Sequence, residues 1–243
     1  MRLRAASATR AASQGGAPGE QNQDHAWLDP AAGWFAVSDG LGAYAGGEVA
    51  SAVAVEACAR ALAAPPAGAL TPRARLNAAV QEAARALHQR GRRERLLSRM
   101  AATLTVLELS PGQWRAAHVG DSRCYLLREG TLRQLTTDHS LAFEQYLAGA
   151  IPKDALADHP NQRLLTRTLS ATRPFVVPEL LEGEARPGDL FLLCSDGLLA
   201  GLDDEGLARL LAGGDDPQAT CARLVEAASG RDDATALVVA AEW

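Results

Sequence analysis

Three observations predict an α+β fold for this 243-residue chain. Strand-like and helix-like segments come in runs, tight turns carrying glycine or proline join successive strands, and no linker rich in proline or serine divides the sequence. Strands are expected at residues 3–8, 24–28 and 34–38, the last containing the apolar run Trp34-Phe35-Ala36-Val37. Two helices follow. The first, at 46–63, sets Val49, Val53 and Ala57 at helical spacing and is stopped by Pro65-Pro66. The second begins at Thr71-Pro72, a capping residue followed by proline at the first helical position, and runs to about residue 89. The basic run Arg92-Arg93-Glu94-Arg95 after it reads as a solvated helix end.

Strands return at 102–109, 114–119, 123–128 and 131–135, with Ser110-Pro111-Gly112 and Glu129-Gly130 as turns, and connections this short imply antiparallel pairing. Residues 139–147 are helical. Gly149, Pro152 and Pro160 then break the pattern, so that 139–170 is either an ordinary helical insertion or a movable segment beside a site. Strands at 175–181 and 190–194, helices at 203–212 and 217–229, and a last strand at 234–241 complete a single domain spanning 1–243.

Composition excludes several functions. At 47% hydrophobic and 22% charged residues the chain can bury one sizeable core, and a net charge of -5 offers no basic footprint for nucleic acid. Cys58, Cys124, Cys194 and Cys221 lie far apart, which argues against a zinc site or a disulfide framework and for reduced thiols. The start, Met1 to Ser7, is basic but lacks the apolar core of a signal peptide, and no run approaches the roughly 20 apolar residues of a membrane span. A cytoplasmic monomer is expected.

Four aspartates in short turns carry the chemical information: Ser38-Asp39-Gly40, Gly120-Asp121-Ser122-Arg123, Ser195-Asp196-Gly197 and Arg231-Asp232-Asp233. The first three follow strand-like apolar runs and the fourth precedes one. Asp-Gly is a common turn dipeptide, and each alone is better read as a turn. As a set they say more. Phe191-Leu192-Leu193-Cys194 is apolar throughout and reads as a strand buried on both faces, so a carboxylate at its end costs several kcal/mol unless a positive charge pairs with it. No lysine or arginine neighbours Asp39 or Asp196 in sequence, which points to hard divalent cations held by oxygen ligands.

In order along nearly the whole chain stand Asn22-Gln23-Asp24, Val37-Ser38-Asp39-Gly40-Leu41-Gly42, Gly46-Gly47-Glu48-Val49-Ala50-Ser51, His118-Val119-Gly120-Asp121-Ser122-Arg123, Thr136-Thr137-Asp138-His139-Ser140, Leu193-Cys194-Ser195-Asp196-Gly197 and Asp232-Asp233-Ala234-Thr235. This series resembles the metal-dependent protein serine/threonine phosphatases of the PPM or protein phosphatase 2C family, in their compact bacterial form. The resemblance implies two stacked antiparallel β-sheets flanked by α-helices, an α-β-β-α sandwich, with 139–170 as a flap beside the catalytic face. It implies two Mn2+ or Mg2+ ions that share and activate a water for attack on phosphoserine or phosphothreonine. Asp39 would bridge both ions, Gly40 would add its carbonyl, Asp196 and Asp232 would complete one ion, and Asp24 would hold the site directly or through water. Asp121, with Asp196, would frame a third, weaker ion. Phosphorylated proteins would be the substrates and a serine/threonine kinase the opposing partner.

The chain departs from the family pattern at several positions. Gly19 stands where many members carry a phosphate-binding arginine, leaving phosphate to backbone amides, to Arg10, or to a looser hold. Gln23 replaces a common glutamate, and Asp233, beside Asp232, replaces the usual asparagine and returns a charge. Leu41 occupies the place of a histidine proposed as general acid in some members. The alternative to an enzyme is a catalytically weak module of the same fold that binds phosphorylated segments or a kinase. Thr103, Thr105, Arg123 and Tyr125 are expected to serve structure, as is His118 in the core; His139 is expected in the turn opening the 139–170 segment.

Overall fold

The structure, a computed structural model, describes residues 2–12, 21–41, 46–64, 70–156, 159–213 and 216–242. Position 19, at the centre of one departure above, lies outside the described residues. Twelve strands and six α-helices run β1 (Arg2–Arg10), β2 (Asp24–Asp29), β3 (Trp34–Asp39), α1 (Gly47–Ala63), α2 (Pro72–Arg93), β4 (Ala101–Ala102), β5 (Leu104–Ser110), β6 (Gln113–Val119), β7 (Arg123–Arg128), β8 (Thr131–Gln134), α3 (Leu141–Leu147), β9 (Leu169–Ser170), β10 (Glu179–Glu184), β11 (Leu190–Cys194), α4 (Asp196–Leu199), α5 (Asp204–Ala212), α6 (Pro217–Ala227) and β12 (Ala234–Glu242).

They form two five-stranded antiparallel sheets, β1-β12-β11-β7-β8 and β10-β6-β5-β3-β2, with β4 and β9 as a small separate pair. Three apolar layers hold the stack together. Phe35, Val37, Leu107 and Trp114 of one sheet meet Leu126, Phe191, Leu193 and Leu237 of the other. Ala36, Leu104 and Val106 pack outward against Ala54, Cys58, Val80 and Leu87 of α1 and α2, while Leu192, Cys194 and Val238 pack against Leu198, Leu207 and Leu224 of α4, α5 and α6. Alternate residues of β11 therefore enter different layers, which explains why its sequence is apolar without interruption.

Most local signals hold. Thr71 Oγ1 accepts from the Ala74 N–H at 3.2 Å with Pro72 in the first turn of α2, and that helix continues past residue 89 to Arg93, where Glu94 pairs with Arg90 at 2.8 Å. Three expectations need correction. The strand at 102–109 is broken at Thr103, whose backbone N–H turns aside to the Asp39 carbonyl. The strand at 175–181 starts at Glu179, because the register is set by pairing with β6 from Glu179–His118 to Glu184–Gln113, and Phe175 and Val177 stay exposed. The Ser195-Asp196-Gly197 turn opens directly into the short helix α4.

Leu193, fully buried between the sheets on the strand that ends at Cys194, tests this packing. Leu193→Ala is expected to cost about 2–5 kcal/mol of stability, read as a lowered urea midpoint at unchanged slope.

Candidate metal centre

Both sheets deliver acidic turns to one end of the stack. Asp24 and Asp39 are direct cross-strand partners at the ends of β2 and β3, and Asp121 follows β6. From the other sheet Asp196 follows β11 and Asp232 precedes β12. Asp39, Gly40, Asp121, Asp196 and Asp232 line one cavity of about 660 Å3 together with Gln23, Asp233, Arg99 and Arg163. Asp24 lies buried beneath it.

Hydroxyls fix the backbone that carries these carboxylates, and one of them reaches a carboxylate oxygen directly. Thr103 clamps Asp39 from both sides: its Oγ1 accepts from the Asp39 N–H at 2.9 Å and its own N–H donates to the Asp39 carbonyl at 2.8 Å. Ser38 Oγ donates to the Thr103 carbonyl, and Thr103 Oγ1 shares a hydrogen bond of 2.7 Å with Ser122 Oγ beside Asp121. Ser195 Oγ donates to Asp24 Oδ2 at 2.6 Å and accepts from the Thr235 N–H at 2.9 Å, tying β2 to the strands that carry Asp196 and Asp232. Two glycines are required sterically. A Cβ on Gly40 would stand 2.1 Å from the Gly47 carbonyl at the start of α1; Gly120, at φ +111°, would press one against the Thr103 side chain at 2.5 Å.

The electrostatics are unfavourable without a cation. Burial, then the charges of Asp24, Asp196, Asp121 and Asp232, push the Asp39 carboxyl well above its ordinary range. Burial drives Asp24 up to about 7 against the pull of the Ser195 hydroxyl, and drives Asp121 up to about 8 with help from Asp196 and Asp138. Asp196 is raised by burial and by Asp232. Asp24 Oδ1 is buried without a hydrogen-bond partner. An all-oxygen, strongly anionic set with an unpaired buried oxygen fits hard divalent cations such as Mn2+ or Mg2+.

A sequence profile described as Protein phosphatase 2C matches residues 15–227. The chain belongs to the protein phosphatase 2C family. The serine/threonine protein phosphatase PstP of Mycobacterium tuberculosis is 37% identical over 177 residues, covering 73% of this chain and 34% of that protein. The chain thus spans about a third of the length of that curated relative. The crystal structure of the M. tuberculosis serine/threonine phosphatase PstP/Ppp aligns over 100% of both chains with a TM-score of 0.88 at 32% identity. The catalytic domain of PstP in complex with two manganese ions aligns over 100% of this chain and 99% of that one, with a TM-score of 0.85 at 32% identity.

Set against this phosphatase 2C frame, the structure brings together every acidic residue singled out from the sequence and reassigns several others. Thr103 is more than a strand residue, since it holds Asp39; its signal was a hydroxyl, like that of Thr105, in a largely apolar run. Ser195, read only as part of a turn, positions Asp24. Asp233 raises the charge felt by Asp24, yet its oxygens accept from the Ala12 N–H at 2.8 Å and the Gln23 N–H at 2.7 Å, so it serves as a backbone clip. Arg10 does not line the cavity and donates instead to the Glu226 and Ala228 carbonyls at the end of α6. Arg123 is structural, forking onto Asp138 and bonding the Tyr125 hydroxyl.

His118, His139 and Glu179 bring ligand atoms within 4.8 Å of one another, but Arg167 Nη1 stands 3.2 Å from His139 Nε2, and Glu179 accepts from the Thr137 N–H. A cation there would meet a guanidinium. His118 Nδ1 bonds Thr105 Oγ1, and burial lowers His118 to about 4 and His139 to about 3, so both rings stay neutral as core groups. His139 Nδ1 accepts from the Gly120 N–H, while its own N–H donates to the Gly120 carbonyl; the pair holds the Asp121 turn.

Two measurements follow. Thr103→Val leaves the Asp39 N–H unpaired in the interior, so it is expected to cost about 1–3 kcal/mol and to raise the Mn2+ concentration that saturates binding in a calorimetric titration. In chelator-treated protein, the raised carboxyls of Asp24 and Asp121 keep protons that the unfolded chain has already released, so stability falls as pH rises towards and through their folded values of about 7 and 8. The depressed histidines act in the opposite sense, but only below about pH 6.5. Thermal midpoints should therefore drop above that pH, and Mn2+ should abolish the drop; a flat profile in chelator would contradict the charge arrangement.

Proposed function

We propose that this chain is a divalent-metal-dependent protein phosphatase that hydrolyses phosphoserine and phosphothreonine monoesters. The buried carboxylate set around Asp39, short of positive charge and open to a cavity, is the observation that carries the reading. Asp39, the Gly40 carbonyl, Asp196 and Asp232 would hold two Mn2+ or Mg2+ ions with Asp24 supporting them, and Asp121 with Asp196 would frame a third. When bound, such ions supply a water activated near neutral pH and positive charge for the phosphoryl oxygens.

The chain's own residues do the rest. Thr103 fixes the Asp39 main chain and Ser195 the Asp24 carboxyl, so that little rearrangement is needed when charge develops in the cavity. Leu41 lines the cavity and brings no proton donor to the leaving oxygen, whose proton then comes from solvent-derived water. Residues 139–170 act as the flap of a single domain spanning 1–243. The segment is fastened at its base, where the Leu141 N–H donates to Leu164 O and the Thr166 N–H to His139 O, and it brings Arg163, Leu164, Leu165 and Thr168 to the cavity wall.

Phosphorylated proteins are the proposed substrates and a serine/threonine kinase the opposing enzyme. The net charge of -5 speaks against nucleic acid. Among the described residues no helix is long and apolar enough to cross a membrane, and all four cysteines are free and buried. A cytoplasmic monomer is the proposed state.

Asp39→Asn separates chemistry from occupancy. Turnover of a phosphothreonine peptide in Mn2+ is expected to fall to background, while the metal-free variant should melt higher than metal-free wild type near neutral pH because the cost of keeping an ionisable carboxyl buried among other aspartates is gone. Undiminished turnover in the variant would overturn the assignment.

A further inference from the structure

A cavity that takes a phosphate dianion beside so many carboxylates needs cationic donors of its own. Arg99 and Arg163 are the arginines that line it among the described residues. Other guanidiniums nearby are committed elsewhere: Arg123 to Asp138 and Tyr125, Arg167 to the edge of His139, and Arg10 to backbone carbonyls. Arg163 differs in both placement and freedom. It lies beside Leu164 and Leu165 in the stretch of the 139–170 segment that lines the cavity, with Nη1 3.5 Å from Asp232 Oδ2, and its charge also lowers the carboxyl of Asp196. Its side chain is 71% exposed, so the ion pair with Asp232 is weakly held.

Asp232 is claimed from two sides. On the reading that it is a metal ligand, a cation bound there competes with Arg163 and wins by charge and proximity. The displaced guanidinium remains above the carboxylate edge of the cavity, five N–H donors on a flexible stem, within reach of an anion sitting over the metals. We propose that Arg163 is a substrate-phosphate contact carried by the 139–170 segment, paired with Asp232 in the metal-free protein and transferred to the phosphoryl oxygens when metal and phosphomonoester are bound. This proposal rests on the ligand role of Asp232.

The test uses full-length wild type, Arg163→Ala, Arg163→Lys and Arg99→Ala. Mn2+ binding is measured first by calorimetry on metal-free protein, then inorganic phosphate binding to the Mn2+-loaded protein, then KM and kcat on a phosphothreonine peptide. Arg163→Ala should bind Mn2+ as tightly as wild type or more so, because Asp232 has lost a competitor. Its phosphate affinity should weaken about tenfold with KM rising in proportion and kcat changing much less, and Arg163→Lys should fall between, as a point charge without the planar fork. Wild-type phosphate affinity and KM in Arg163→Ala would overturn the proposal, as would a loss confined to Arg99→Ala. Weakened Mn2+ binding in Arg163→Ala would also overturn it, marking the residue as structural support. A wild type that binds no Mn2+ sinks the metal reading and the proposal together, an outcome distinct from a metal-binding wild type that Arg163→Ala matches in phosphate affinity.

Discussion

The burial of clustered carboxylates, compounded by their mutual repulsion, is the constraint on which the rest of this structure depends. Asp24, Asp39, Asp121, Asp196 and Asp232 are drawn together from both sheets, and the cost is visible in how far Asp39 and its neighbours are pushed from ordinary ionisation. Folding must hold them against that force, and a divalent cation then turns the same arrangement from a penalty into a binding site. Three apolar layers supply the holding energy, and β3, β6, β11 and β12, which adjoin four of the five acids, are largely buried within them.

Rigidity at the centre comes from hydroxyls. Thr103 interrupts what would be one continuous strand so that its backbone and side chain can both bond Asp39, and the same oxygen reaches Ser122 beside Asp121. Ser195 links Asp24 to the Thr235 backbone across the two sheets. The acids of one sheet are thereby keyed to those of the other through short neutral bonds. A neutral hydroxyl can position a carboxylate without neutralising it, which a lysine or arginine in the same place could not.

Positive charge enters from the rim. The 139–170 segment is pinned at its base through His139, which also grips the Gly120 peptide next to Asp121, and its returning loop brings Arg163 to Asp232. The segment and the acidic turns are thus mechanically continuous.

The sequence by itself determined the alternation of strands and helices, the Thr71 and Pro72 helix start, the acidic turns and the family they resemble, because each is written in local spacing and turn chemistry. It could not show that Thr103 clamps Asp39, that Asp233 is occupied by two backbone N–H groups, or that Arg10 donates to carbonyls at the end of α6. Nor could it pair Arg163 with Asp232, 69 residues apart, or move the strand expected at 175 to Glu179, where the register with β6 decides. Those outcomes depend on which distant groups come within hydrogen-bonding distance. Only the stacking of the two sheets brings the ends of β2, β3, β6, β11 and β12 to one face, so the site as a charged object exists only in the tertiary structure.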